Sequence, residues 1–204
     1  MKHYLPFLLL LLVLLTNCSK DDNTPSASKV NQEGLTSDIT ELVPQVILDE
    51  MRRLGMPIYG GETPPDLEGS YLASPFILVA SNRPDDRPGN KFRDYELTLS
   101  NQDNEKLRIN LDYVHSLESG TGLGGFVVGT DNKFSVFVRV VSTVGVGATA
   151  DFVHVISGQR TEDGVADLYF ANFMLDNKGN PDGIWIEEGE GRVLFDEDGF
   201  SPQQ

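Results

Sequence analysis

The chain is expected to be mainly β: an antiparallel up-and-down barrel of about eight strands with one N-terminal α-helix, a β-sandwich being the alternative. Three observations lead there. Along 94–100, Tyr95, Leu97 and Leu99 alternate with Glu96, Thr98 and Ser100, the period of a half-buried strand. Turn-forming clusters at 101–104, 131–132, 162–164 and 177–183 divide the apolar runs. No helical period follows Leu54, which excludes βαβ crossovers and a parallel sheet. The short links favour a barrel meander, because a Greek-key sandwich needs a long connection.

The helix is expected over 38–54. Asp38 and Glu41 make a capping-box-like start, and Pro44 suits a first turn. Val43, Val46, Ile47, Met51 and Leu54 share one face, Arg52 and Arg53 complement the C-terminal dipole, and Gly55 supplies the stop. Strands are expected at 70–80 (bent or bulged at Pro75), 94–100, 106–113, 124–129, 134–142, 149–157, 165–175 and 184–195. Tyr71, Leu97, Ile109, Phe126, Val138, Phe152, Tyr169 and Trp185 are candidates for the inward face. The interior of such a barrel is either filled by side chains or holds one small ligand.

The first residues are an address rather than a fold. Lys2 begins a short basic region, and residues 7–15 form an apolar run too short to span a bilayer. The organisation expected is a signal at 1–17, a polar flexible tether at 18–36 and a single domain at 37–204. The full chain carries 16 Lys plus Arg against 31 Asp plus Glu, a formal charge of −15. So acidic a body argues against nucleic acid and against adsorption on anionic lipid. Cys18 is the one cysteine, so no intrachain disulfide can form and the fold must rest on core burial.

Signatures of chemistry are weak. Residues 120–125 match a Gly-x-Gly-x-x-Gly pattern, but a strand-like run follows instead of a helix, so a bulged edge or barrel corner is the better account. In the loop at 176–183, Lys178 and Pro181 stand where a calcium loop needs an oxygen ligand and a glycine. Loose calcium at Glu187, Glu188 and Glu190 stays open. His115 and His154 lack zinc-ligand spacing, and His154 shares the parity of Phe152 and Ile156, as a hydrogen-bonded core histidine would. No Gly-x-Ser-x-Gly elbow is present, and carboxylate pairs cannot be read without spatial distances. No catalytic residue, cofactor or metal is therefore expected.

Four resemblances add to this. Leu15-Thr16-Asn17-Cys18 resembles the lipobox of bacterial lipoproteins, which implies acylation of Cys18 and a membrane partner reached through lipid. Ser19-Lys20-Asp21-Asp22 resembles the export signal of Bacteroidota surface lipoproteins. It implies outer-membrane anchoring with cell-surface exposure, the periplasmic face being the alternative. Gly69-Ser70-Tyr71 is similar to the Gly-x-Trp motif that opens the first strand of lipocalin-like (calycin) barrels. That likeness spans 66–196 and implies that Arg192 packs across Tyr71 at the closed end, making Gly69, Tyr71 and Arg192 closure candidates. The run 64–71 also resembles a lead-in of lipocalin-like lipoproteins of gut Bacteroidota.

The expected function is non-catalytic binding of a small hydrophobic or amphipathic ligand. Leu97, Ile109, Val138, Phe152, His154 and Tyr169 are the pocket candidates. The alternative is an interaction or scaffold module that binds a glycan or an envelope protein through its loops.

Overall fold

The computed structural model describes residues 29–145 and 147–204. The expected signal at 1–17, Cys18 and Ser19, Lys20, Asp21 and Asp22 lie outside the described residues. The packed chain begins well before residue 37. Leu35 is fully buried, Val30 bridges to Thr36, and Arg52 pairs with Glu33 at 2.7 Å, so 29–36 belong to the domain rather than to the tether.

Two short helices replace the single expected one: α1 (Ser37–Leu42) and α2 (Gln45–Arg53). Pro44 divides them. It cannot donate within a helix and it pushes its predecessor into extended geometry, and Val43 accordingly has φ −106° and ψ 111°. The cap of α1 is Thr36, whose Oγ1 accepts the Ile39 N–H at 3.2 Å, while Asp38 turns outward to Arg108 at 2.7 Å. The break re-phases α2, so Ile47, Leu48 and Met51 are buried and Val46 is exposed.

The rest is an antiparallel half-barrel: β1 (Gly69–Ala73), β2 (Phe76–Ser81), β3 (Lys91–Phe92), β4 (Tyr95–Asp103), β5 (Arg108–His115), β6 (Glu118–Thr130), β7 (Lys133–Val144), β8 (Thr149–Arg160), β9 (Gly164–Asp176), β10 (Gly191–Asp196) and β11 (Phe200–Pro202). Ten strands form the path β1-β4-β5-β6-β7-β8-β9-β10-β2-β3, and β11 pairs with β9 beside it. The fold is therefore mainly β, but with more strands than eight and an open barrel.

The extra strands have local causes. Pro75 splits the expected 70–80 strand, and its halves pair far apart along the path, β1 with β4 and β2 with β10. A single stretch of chain thus joins the two margins of the sheet. β11 adds to that seam: Tyr71 bridges to Gln203, and the Gln204 N–H donates to the Ser70 carbonyl at 2.9 Å.

The curl buries two apolar clusters. The inner one gathers Tyr71, Leu97, Ile109, Val138, Phe152 and Phe170 among others. The outer one seats Ile39, Leu48 and Met51 of the helices against Phe137, Val153, Val155 and Phe173. Phe126 and Tyr169, expected inward, belong to the outer side. Register shifts lie between Thr121 and Phe126 in β6, and beside Asp167 (φ 51°) in β9. An extra residue in a strand flips the facing of everything after it, which moves both rings to the other face. Tyr169 then packs on Phe195 at 4.6 Å between centroids, and Arg108 lies 4.0 Å over the Phe126 ring.

Candidate functional site: an aromatic cavity inside the half-barrel

The glycine run at 120–125 falls within β6 and makes room inside the curl. A Cβ at Gly120 would run into the Tyr113 ring, and one at Gly122 into Val138. The interior beside Tyr113 is not completely filled. A cavity of about 160 Å³ remains, lined by residues of β2 to β6 and β8 to β10.

Strand alternation builds its walls. Tyr113 and His115 are two apart on β5, as are Phe170 and Asn172 on β9 and Arg192 and Leu194 on β10, so each pair points to the same side. Tyr95 stacks on Tyr113 at 5.2 Å and 14° and meets Phe170 at 4.5 Å. The His154 ring lies 4.8 Å from Tyr113 and stands edge-on to Phe170 at 4.8 Å and 85°. Phe76, Phe92 and Leu194 complete the apolar lining.

The polar atoms are fewer and only partly paired. Tyr113 donates to Glu118 Oε1 at 2.5 Å and so accepts from the Ser142 hydroxyl at 2.6 Å. Tyr95 Oη lies 3.3 Å from His154 Nδ1. Three buried atoms of lining residues have no protein partner: His154 Nε2, His115 Nε2 and Asn172 Oδ1. A polar atom left so costs about 1–3 kcal/mol, so three in one place call for a partner that the protein's own side chains do not supply.

Burial keeps these groups neutral. It pushes His154 down to about 3, helped by the neighbouring His115. It also lowers His115, against the opposing pull of Glu118 and of a hydrogen bond to the Arg93 backbone. Tyr95 and Tyr113 are raised by burial first, with Glu118 adding to both. Where Tyr95 gives its hydroxyl proton to His154 Nδ1, the histidine's own proton sits on Nε2; with the bond reversed, Nε2 is an acceptor. His115 bonds the Arg93 backbone through its other nitrogen, which leaves Nε2 as an acceptor. With Tyr95 as donor to His154, the cavity presents an N–H at His154 and acceptors at His115 and Asn172.

Arg192 stands beside it. Its guanidinium bonds Asp86 at 2.6 and 3.2 Å and lies 5.6 Å over the Phe92 ring. Burial raises the Asp86 carboxyl, but the bonds from Arg192 and Ser81 and the charges of Arg192 and Arg83 outweigh it and hold it low. The cation over Tyr71 is Arg160 instead, 5.8 Å from the ring centroid. Arg160 also donates to Asp66 O at 3.2 Å and Gln203 Oε1 at 2.8 Å, tying β1's lead-in to the C-terminus. Gly69, at φ 140°, accommodates Gln203 against its α-carbon. Tyr71 donates to Leu67 O at 2.8 Å.

Of the expected pocket residues, His154 alone lines the cavity. Leu97, Ile109, Val138 and Phe152 point inward but are consumed in packing, and Tyr169 faces the other way. Trp185 sits in the loop before β10, since the expected 184–195 strand begins only at Gly191, and meets Phe152 edge-on at 5.6 Å. Tyr95, Tyr113, His115 and Asn172 were missed as lining residues. The available signal was a polar or hydroxylated residue at an inward parity of each strand.

At the 176–183 loop, the Lys178 ammonium lies 2.9 Å from Asp176 and 3.0 Å from Asp151, in the place a cation would want. Among the described residues, no group of three His, Cys, Asp or Glu side chains is arranged to hold a metal. No protein-family model, curated protein or solved structure matches the chain.

Proposed function

We propose that the protein is a non-catalytic lipoprotein of the outer membrane, anchored through Cys18 and displayed on the cell surface, whose lipocalin-like open barrel binds one small amphipathic ligand. One observation carries the binding: the buried His154 ring presents an unpartnered Nε2 to a cavity walled by aromatic rings. At about 160 Å³ the space is well below the ~300–1,000 Å³ of a drug-sized pocket. Lipids and bile acids are too large for it, so "small" here means a single ring or its equivalent.

Native mass spectrometry of the full chain after exposure to a small-molecule extract tests the binding. A retained mass that disappears in Leu194→Trp, where the indole fills the cavity, supports the reading; a clean apo mass throughout removes it. The address is tested separately. Cys18→Ala should release the protein from the membrane fraction, and protease added to intact cells should cleave the wild type if it faces outward.

A second reading has one specific observation behind it. Leu123 and Val141, 75% and 51% exposed, flank a groove on the outer side of β5 to β7. Such a groove suits an interaction module that contacts an envelope protein. Leu123→Ser would abolish that contact and leave the cavity untouched.

A further inference from the structure

We infer that the interior cavity is a site for a small neutral hydroxylated aromatic, a phenol-class ring. This rests on the reading of the half-barrel as a ligand binder and names the ligand's chemistry.

Size comes first. An apolar cavity of ~150 Å³ holds one benzene, so about 160 Å³ admits a single ring with one or two small substituents. Shape comes next. Phe76, Tyr95, Phe170 and Tyr113 offer ring faces and edges, which a flat aromatic answers by stacked and edge-on contacts and a puckered aliphatic ring does not.

The polar atoms then select the substituent. With Tyr95 donating to His154 Nδ1, the cavity offers a donor at His154 Nε2 and acceptors at His115 Nε2 and Asn172 Oδ1. A phenolic oxygen is the smallest group that answers both kinds, accepting from His154 and donating to His115 or Asn172. An aryl amine would have to accept through a nitrogen whose lone pair is delocalised into its ring, and a bare hydrocarbon would leave all three atoms unpaired.

Charge is disfavoured in both directions. An anion would share the space with the Glu118 carboxylate, while the Arg192 guanidinium is already held by Asp86. A cation would face the N–H of His154, and the Glu118 carboxylate is engaged by the Tyr113 hydroxyl. Water fits less well than a ring. Waters at ~30 Å³ each could bond His154, His115 and Asn172, but they would leave the ring faces of Phe76, Phe92 and Phe170 uncovered, whereas one hydroxylated ring answers both.

The test is an NMR titration of the full chain in detergent with p-cresol and, separately, with toluene. Leu194→Trp serves as the blank for partitioning into the micelle. p-Cresol should bind at least tenfold more tightly than toluene, and its addition should shift the imidazole nitrogens of His154 and His115. His154→Leu should bring the two affinities together; Asn172→Leu, a milder change, should narrow the gap and serves if His154→Leu fails to fold. Equal affinities in the wild type overturn the hydroxyl selection while leaving a ligand-binding barrel in place. Binding of neither compound above the blank overturns the ring chemistry. The extract experiment then judges the wider reading by itself: a retained non-aromatic molecule preserves it, and none retained ends it.

Discussion

On the outer face of the sheet, the buried polar groups find each other. Ser135 Oγ receives the Tyr59 N–H at 2.8 Å and lies 2.8 Å from Ser157 Oγ, within a cluster otherwise made of aliphatic and phenyl groups. Inside the curl, His154, His115 and Asn172 keep buried atoms with no protein partner around a space that side chains do not fill. The two faces come from the same strands with the same alternation, so strand propensity does not separate them. The difference is occupancy: α1 and α2 cover the apolar cluster of the outer face, while the inner one is closed by the sheet's own curvature, which leaves a gap where aromatic rings meet. One face pairs its buried polar groups, and the other keeps unpaired ones around unfilled volume.

Enlarging a void on the closed face should have the greatest effect. Phe137→Ala removes a fully buried ring from the outer cluster and should destabilise the protein by about 3–5 kcal/mol, read from chemical denaturation. A loss below about 1 kcal/mol would mean that the helices can collapse onto the gap and that the outer face is not the firmer one.

His154 sharpens the contrast through pH. Its folded pKa of about 3 lies below the ordinary histidine value of 6.5, so its neutral form favours folding above ~6.5 and this contribution is lost as the pH falls toward 3. Between pH 7 and pH 4 the wild type should lose about 3 kcal/mol that His154→Leu does not lose. Parallel pH curves for the two would show that water reaches the ring and that the cavity is wet.

Asp196 titrates with the opposite sign. It is fully buried and accepts from Ser201 at 2.5 Å, and burial, aided by Asp198, raises it from 3.8 to about 6 despite that bond. Its contribution is present below ~3.8 and lost as the pH rises through 6. Asp196→Asn should therefore stabilise the chain by about 2 kcal/mol at pH 8, with the gain disappearing by pH 4. A gain independent of pH would point to packing instead of charge.

The smallest effect belongs to the helix start. Thr36→Ala removes the Oγ1 acceptor of the Ile39 N–H and should cost about 1 kcal/mol, whereas Asp38→Ala should cost less because its partner Arg108 is half-exposed. The reverse order would reinstate Asp38 as the cap.

Much of the fold was legible because period-two alternation is strictly local. Tyr95, Leu97 and Leu99 alternate in the sequence and are buried in the structure, and the absence of helical period after Leu54 matches strands β1 to β11, which pair with one another antiparallel. Strand number was less legible. Pro75 announced a disturbance, but whether a proline bends one strand or divides two depends on which partners its halves find, and Phe76 finds Asp196, 120 residues away. The helix failed similarly at Pro44, where first-turn and breaking roles look alike until Val43 is seen to be extended.

The site divides along the same line. Sequence placed His154 on the inward face by its parity with Phe152 and Ile156, and that parity needs only the alternation of one uninterrupted strand. It misplaced Phe126 and Tyr169, because a register shift reverses facing without leaving a residue that announces it. It put Arg192 over Tyr71 where Arg160 stands, because that choice is made by how the seam closes. By itself the sequence determined an acidic, single-cysteine chain of antiparallel strands behind a short helical segment. Only the tertiary structure decided that the barrel stays open, that its two margins are joined through Pro75, and that His154, His115 and Asn172 converge with unpaired atoms. Alternation is a property of neighbours along the chain, whereas convergence and unfilled volume are properties of neighbours in space.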